Sequence, residues 1–194
     1  RPNYAMYYRS MAAVYTYMSR HELALSLLEK ALSLDSNQMD TYNGLGYTYY
    51  YLNRFDDEVK VLTNALKKWP DNQNIIYNLA VAYFALYNSD SALSLVKYSY
   101  KLDKSEKNAY ELYYLLNEWG GTFIQNKYYE QGAGILKYAT ELEPKRYAAY
   151  ENLMNYYLIV NNRPDSAAYY AKKLIAQGRT VEPKKLEFLK PYLR

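Results

Sequence analysis

Residues 41–71 read TYNGLGYTYYYLNRFDDEVKVLTNALKKWPD, and the spacing inside this stretch decides the fold. Tyr42, Leu45, Gly46 and Tyr49 stand three or four apart, so on a 3.6-residue helix they share one face. After Leu52-Asn53-Arg54, the residues Phe55, Val59, Leu62, Ala65 and Leu66 form a second apolar stripe. Trp69-Pro70-Asp71 ends that stripe, because a residue preceding proline avoids the helical region. The stretch is therefore a helix, a short turn and an antiparallel helix. Gly46 sits where a bulky side chain of the partner helix must approach.

The pattern recurs every 34 residues in both directions. Tyr15, Tyr49 and Tyr83 keep that step, as do Met11, Leu45 and Leu79; Ala12, Gly46 and Ala80; Leu28, Leu62 and Val96; and Ala31, Ala65 and Ser99. Agreement of several registers at one period marks an array of helix pairs, each too small to bury its own stripe and covered by its neighbours.

The unit carrying Tyr42, Leu45, Gly46, Tyr49, Ala65 and Pro70 resembles the tetratricopeptide repeat (TPR). The resemblance implies an all-α, right-handed superhelical TPR-like solenoid of antiparallel helix pairs, with residues 1–194 as a single domain. Its repeats fall at about 5–38, 39–72 and 73–106, then an irregular one at 113–146 and a last one at 147–181. In the irregular unit the first helix is extended, starting from about 107, and Gly120-Gly121 inside it implies a kink or very close packing. In the last unit Asn162 is expected to cap the second helix, Pro164 to occupy its first turn, and the turn to hold one extra residue. A capping helix over 183–193 covers the open end with Leu186, Phe188 and Leu189. Glu58 departs from the family, standing where Ala24 and Ala92 stand in the flanking units. It either reaches solvent beyond the helix crossing or finds a hydroxyl or cation partner, and the solvent-facing placement is the expectation carried forward.

Composition narrows the chemistry. With no cysteine and a single histidine, soft-ligand metal centres and thiol catalysis are excluded, and no metal or cofactor is expected. His21 reads as a solvent-facing turn residue. Asp56 and Asp57 read as first-turn carboxylates favoured by the helix dipole. Gly132-Ala-Gly134 reads as a packing site, since no strand precedes it to make a phosphate loop. An enzyme is not expected. The net charge of +4 is spread over short lysine pairs interleaved with acids, so no specific nucleic-acid partner is expected. No apolar run reaches the length of a spanning helix. The start at Arg1, without methionine, suggests a fragment or processed product, whose parent could be membrane-associated; compartment and oligomeric state are left open.

The residue that stands out is tyrosine, with 28 copies against four phenylalanines. Tyr8, Tyr15, Tyr42, Tyr49 and Tyr83 fall on the packed face; others fall elsewhere. In the resembled family first helices line a concave groove. That phase assigns Arg9 and Tyr17, then Asn43, Tyr47, Tyr50 and Tyr51, then Asn74, Tyr77 and Phe84, then Tyr114 and Asn117, and finally Asn155 to the binding face. Arg9 and Asn43 suit the family's clamp for a terminal carboxylate, but Ala13, Tyr47, Asn74 and Tyr77 replace its remaining members, so a neutral or aromatic peptide is the expected ligand. The function expected is a protein-interaction or scaffold module with a protein or peptide partner. The alternative is a structural or regulatory self-association segment of a larger enzyme or membrane-associated protein.

Overall fold

The computed structural model describes the backbone of residues 2–193 and the side chains of residues 4–193. The described residues hold helices and no strand, arranged as antiparallel pairs. They form two compact units, residues 1–102 and 103–194. The first contains α1 (Pro2–Tyr17), α2 (His21–Leu34), α3 (Met39–Tyr51), α4 (Phe55–Lys68), α5 (Gln73–Ala85) and α6 (Ser89–Leu102). The second contains α7 (Glu106–Gln125), α8 (Tyr129–Leu142), α9 (Ala148–Asn155) running into a π-helical segment (Tyr156–Val160), α10 (Pro164–Ala176) and α11 (Pro183–Leu189).

In the first unit each pair shares an apolar seam with the next. Ala12 of α1, Ala24, Leu25 and Leu28 of α2, and Leu45 and Tyr49 of α3 form one buried cluster. Tyr42 of α3, Ala65 of α4 and Ile75 of α5 form another, with Trp69 and Leu66 at its edge. Burying a side chain the size of Leu62, which is fully enclosed, stabilises by about 2 kcal/mol. A Cβ on Gly46 would meet Leu62 Cδ2 at 2.9 Å, so glycine there sets how closely α3 and α4 approach. In the second unit the α7–α8 crossing is tighter still. A Cβ on Gly120 would collide with Leu136, and one on Gly132 would stand 2.8 Å from the Gly120 carbonyl oxygen. Close packing, not a kink, is thus what Gly120 supplies, since α7 continues through it as one helix of 20 residues. Gly121 and Gly134 meet nothing within 4 Å, so only the first glycine of the 132–134 pair packs.

One turn closes all five pairs. A left-handed residue (Ser19, Asn53, Tyr87, Lys127 or Asn162) follows the first helix at φ between 50° and 68°. The next N–H then returns to a carbonyl in the last helical turn: Arg20 to Tyr15, Arg54 to Tyr49, Asn88 to Tyr83 and Tyr128 to Phe123, at 2.8–2.9 Å. This is the closure of a Schellman motif, and it satisfies carbonyls the helix end leaves free. In the fifth pair Arg163 N–H reaches Tyr157, one residue further back. The extra residue is accommodated in the π-helical segment, where Asn161 N–H bonds Tyr156, and not in the turn. Asn162 accordingly does not cap α10: it takes the left-handed position at φ 50°, Arg163 holds the cap position, and Pro164 begins the helix. α11 contacts α10 and buries Leu189, while Phe188, expected to help cover the open end, stays 56% exposed.

Tyrosine's role in this packing is partly polar. The Tyr42 hydroxyl donates to Ser36 O at 3.2 Å and Tyr150, at the same phase, to Pro144 O at 3.2 Å, each tying a connecting loop to the following helix. Of the five rings expected on the packed face, Tyr42 and Tyr49 are buried and Tyr8, Tyr15 and Tyr83 are half-buried.

Candidate functional site

In residues 1–102 the first helices α1, α3 and α5 contact one another in sequence, and two pockets open between them. One, of ≈ 360 Å³, is lined by Arg9, Ala12, Ala13 and Thr16 of α1, Leu28 of α2, and Asp40, Gly44 and Tyr47 of α3. The other, of ≈ 200 Å³, is lined by Tyr47, Tyr50 and Tyr51 of α3, Glu58 of α4, and Tyr77, Asn78 and Val81 of α5. Tyr47 walls both. Helical spacing explains this: Tyr47, Tyr50 and Tyr51 lie three and four apart on the side of α3 opposite to Leu45 and Tyr49.

The rings are held against one another. Tyr47 and Tyr51 lie 4.5 Å apart between centroids, and Tyr50 meets Tyr51 edge-on at 5.5 Å. The hydroxyl bond to Tyr51 raises the Tyr47 phenol above its ordinary pKa. His21 stacks on Tyr51 at 4.9 Å and an interplanar angle of 16°, and its Nδ1 is buried without a hydrogen-bond partner. It is therefore a packing residue of this ring cluster, not the solvent-facing turn residue expected.

Glu58 is the larger correction. Its residue is 2% exposed, and Oε2 is buried with no hydrogen-bond partner. Burial alone pushes its carboxyl up to about 8. The buried line of α4 runs through Glu58, Leu62 and Ala65, so the acid occupies the inward position held by Ala24 in α2 and Ala92 in α6. Its neighbour Asp57 does the ordinary work of a first-turn carboxylate, accepting from Arg54 at 2.8 Å and lying 3.4 Å from Lys60. The Arg54 bond holds Asp57 below the usual carboxylate range.

The remaining residues assigned from the sequence divide by place. Arg9 lies 3.6 Å from Asp40, so its charge is already partly answered. Asn43 is half-buried with Oδ1 unpartnered, Asn74 is exposed, Phe84 is half-buried, and Tyr17 is 92% exposed at the end of α1; none of these four lines either pocket.

In residues 103–194 the candidates have intramolecular partners. Asn117 Oδ1 accepts from Asn152 Nδ2 at 3.0 Å, and Asn155 Oδ1 from Lys185 Nζ at 3.0 Å. Asn155 also lines a pocket of ≈ 200 Å³ with Gly121, Ile124, Gln125, Asn152 and Tyr156. Tyr114 belongs to a different cluster, which the sequence reading missed. The Arg146 guanidinium stands 4.1 Å from the Tyr110 ring centroid, 5.7 Å from Tyr113 and 5.5 Å from Tyr114, and Nε is 3.3 Å from Glu143 Oε2. That ion pair lacks hydrogen-bond alignment, and the rings carry most of the contact. Arg146 arrives from the loop between α8 and α9, beyond the reach of helical periodicity.

Among the described residues no group of His, Cys, Asp or Glu is placed to hold a metal ion, and no helix is long and apolar enough to cross a membrane.

No protein-family model matches the chain, and no curated protein matches it in sequence. Solved structures match it in fold. A crystal structure of MamA protein superposes with a TM-score of 0.67 at 18% identity, over 91% of this chain and 93% of that one. YrrB, described as a TPR protein with an unusual peptide-binding site, gives 0.59 at 20% identity over 88% and 84%. TTC0263, a thermophilic TPR protein of Thermus thermophilus, gives 0.51 at 20% identity over 97% of each. The chain has the fold of these proteins, a TPR-like solenoid of helix pairs.

Proposed function

We propose that the chain is a non-catalytic protein-interaction module that takes a peptide, or an extended segment of a partner protein, along the first-helix face of residues 1–102. The observation that carries the reading is Tyr47 standing between two adjoining pockets, 48% exposed, with Tyr50, Tyr51 and Tyr77 also between 42% and 50% exposed. Half-exposed rigid rings are what a binding face needs, because they lose apolar area to a ligand at little entropic cost. The peptide-binding site named for YrrB, a protein of the same fold, supports the assignment. Arg9, Asn43 and Asn74 orient the ligand backbone in this reading, and Tyr17 and Phe84 extend the face. Tyr114, Asn117 and Asn155 lie within residues 103–194, outside the unit to which this face is assigned. The five-repeat division read from the sequence, with its terminal helix, is part of the same proposal.

The test is selection of a random displayed peptide library on the wild-type chain, followed by affinity measurement with the Tyr47→Ala/Tyr77→Ala double variant. A desolvated aromatic anchor is worth about 2 kcal/mol, so the variant should bind selected peptides at least tenfold more weakly while its helical circular dichroism is retained. Equal affinity for both proteins rejects this face as the site.

A further inference from the structure

The pocket between α3, α4 and α5 combines two features that ordinary peptide grooves do not need. It is lined by Tyr47, Tyr50, Tyr51 and Tyr77, and also by Glu58, whose carboxyl Oε2 is buried without a partner. Asn78 and Val81 complete the lining, which contains no cation. We propose that this pocket recognises a primary-ammonium side chain, that of a lysine, on the bound peptide; the proposal rests on the groove reading above and names the chemistry of its ligand.

An orphaned buried carboxyl oxygen calls for a donor, and of the donors a peptide carries only a cationic side chain also gains from ring faces and from opposite charge. Lysine fits better than arginine here, because a pocket of ≈ 200 Å³ suits a compact ammonium head on a slender stem better than a broad planar guanidinium. The chain itself shows that a tyrosine cluster of this kind takes a cation: in residues 103–194 Arg146 lies over Tyr110, Tyr113 and Tyr114 with Glu143 beside it.

The protonation state gives the proposal a signature. With its pKa pushed up to about 8 by burial, Glu58 is a neutral acid at pH 7 in the empty pocket. An ammonium ion binds the carboxylate, so the carboxyl proton leaves to solvent as the ion pair forms, and affinity must rise with pH until Glu58 is ionised. The titratable residues that line the pocket with the acid are Tyr47, Tyr50 and Tyr51 from α3 and Tyr77 from α5; no charged neighbour contributes to its shift. On α4 itself Arg54 and Asp57 are paired to each other, and His21 of α2 stacks on Tyr51.

The experiment is calorimetric titration with N-acetyl-lysine methylamide and its uncharged counterpart N-acetyl-norleucine methylamide, in two buffers of different ionisation enthalpy, at pH 6.5, 7 and 8.5. The lysine probe should bind at least tenfold more tightly than the norleucine probe at pH 8.5. It should release close to one proton at pH 7, and bind roughly twentyfold more weakly at pH 6.5 than at pH 8.5. Glu58→Gln should abolish both the proton release and the preference, and a His21→Asn background should leave the profile in place. Equal binding of the two probes, absence of proton release, or no binding of the lysine probe to the folded chain overturns the proposal. Tighter binding of the norleucine probe at low pH also overturns it, by assigning Glu58 as a neutral donor to a carbonyl. If library peptides bind and depend on Tyr47 and Tyr77 while the lysine probe fails, the ammonium pocket falls and the groove stands. If the lysine probe binds but library peptides ignore the double variant, the groove falls.

Discussion

The two units solve the same packing problem with tyrosine and leave opposite electrostatic remainders. In residues 103–194 the rings of Tyr110, Tyr113 and Tyr114 surround a guanidinium, and Glu143 lies beside that cation. In residues 1–102 Tyr47, Tyr50, Tyr51 and Tyr77 line one pocket together with an acid, Glu58, and the pocket lining contains no cation to meet it. The first cluster is a finished interaction that fastens the α8–α9 loop. The second has an uncompensated group in a half-open pocket, at a cost to the folded state. A cost maintained beneath exposed rings points to a ligand, and each expectation below breaks or sharpens that contrast.

The largest effect concerns Glu58. Its pKa rises from 4.5 to about 8 on folding, so between these values the folded chain keeps a proton that the unfolded chain has lost. Stability is therefore fully present below pH 4.5, falls as pH rises toward 8 and is flat above it, by up to about 5 kcal/mol over the window. Glu58→Gln should remove that slope, matching wild type near pH 5 and exceeding it by several kcal/mol at pH 8.5. Urea unfolding at the two pH values checks this; parallel losses in both proteins would place the acid in contact with solvent and end the contrast. A substitution that stabilises the fold while abolishing ammonium binding would also separate a site residue from a packing residue.

Next in size is a transplant. Asn78 lines the same pocket as Glu58, so Asn78→Lys supplies from within the cation that the second unit draws from Arg146. The Glu58 carboxyl should then titrate about one to three units lower, as carboxylates beside a cation do. The carbon-13 carboxyl shift of Glu58 followed against pH reads this directly. A titration left near 8 would mean that the two side chains do not share the pocket.

How much of this was legible follows from which residues obey a period. Leu45, Leu62, Ala65 and Gly46 recur at 34 residues and are buried where the recurrence places them, because a seam shared by successive helix pairs imposes the same size and polarity each time. Glu58 broke the polarity but not the phase, and Ala24 and Ala92, 0% and 1% exposed at the same phase, were the signal that position 58 is inward. Reading the residue type before its position sent it to solvent. The extra residue before Asn162 was visible as a count, but whether a turn or a helix absorbs it depends on which carbonyl the closing N–H selects, and Arg163 selects Tyr157. Arg146 was illegible because no helical spacing links a loop residue to Tyr110 and Tyr114, 36 and 32 positions earlier. The tyrosine groups lining the pockets were assigned from phase and lie together at one of them; Asn117 and Asn155 were assigned on the same ground and are engaged by Asn152 and Lys185, since phase gives direction and not vacancy.

A smaller loss tests whether the Arg146 cluster is finished in the sense argued. Arg146→Met keeps an apolar stem over the rings and deletes the charge, so it should destabilise by about 1 to 2 kcal/mol, the worth of a partly desolvated cation–ring contact. Urea midpoints compared at low and high salt separate the contributions: a loss that persists in salt belongs to the rings, and one that vanishes belongs to the pair with Glu143.

The smallest effect isolates a hydroxyl within that cluster. Tyr113 is 1% exposed and its oxygen accepts the Ala149 N–H at 3.1 Å, at the start of α9 where no helical carbonyl can serve it. Tyr114, one residue on, is 48% exposed and its oxygen lies 3.5 Å from Arg146 Nη1. Tyr113→Phe leaves a buried amide hydrogen unanswered and should cost about 1 kcal/mol, whereas Tyr114→Phe exchanges a weak contact for water and should cost less than about 0.5 kcal/mol. Amide hydrogen exchange at Ala149 sharpens the comparison, since protection should fall in the first variant and hold in the second. Equal loss in both would mean that the buried Tyr113 hydroxyl contributes no more to the entry of α9 than the exposed Tyr114 hydroxyl does, and would end the distinction drawn between them.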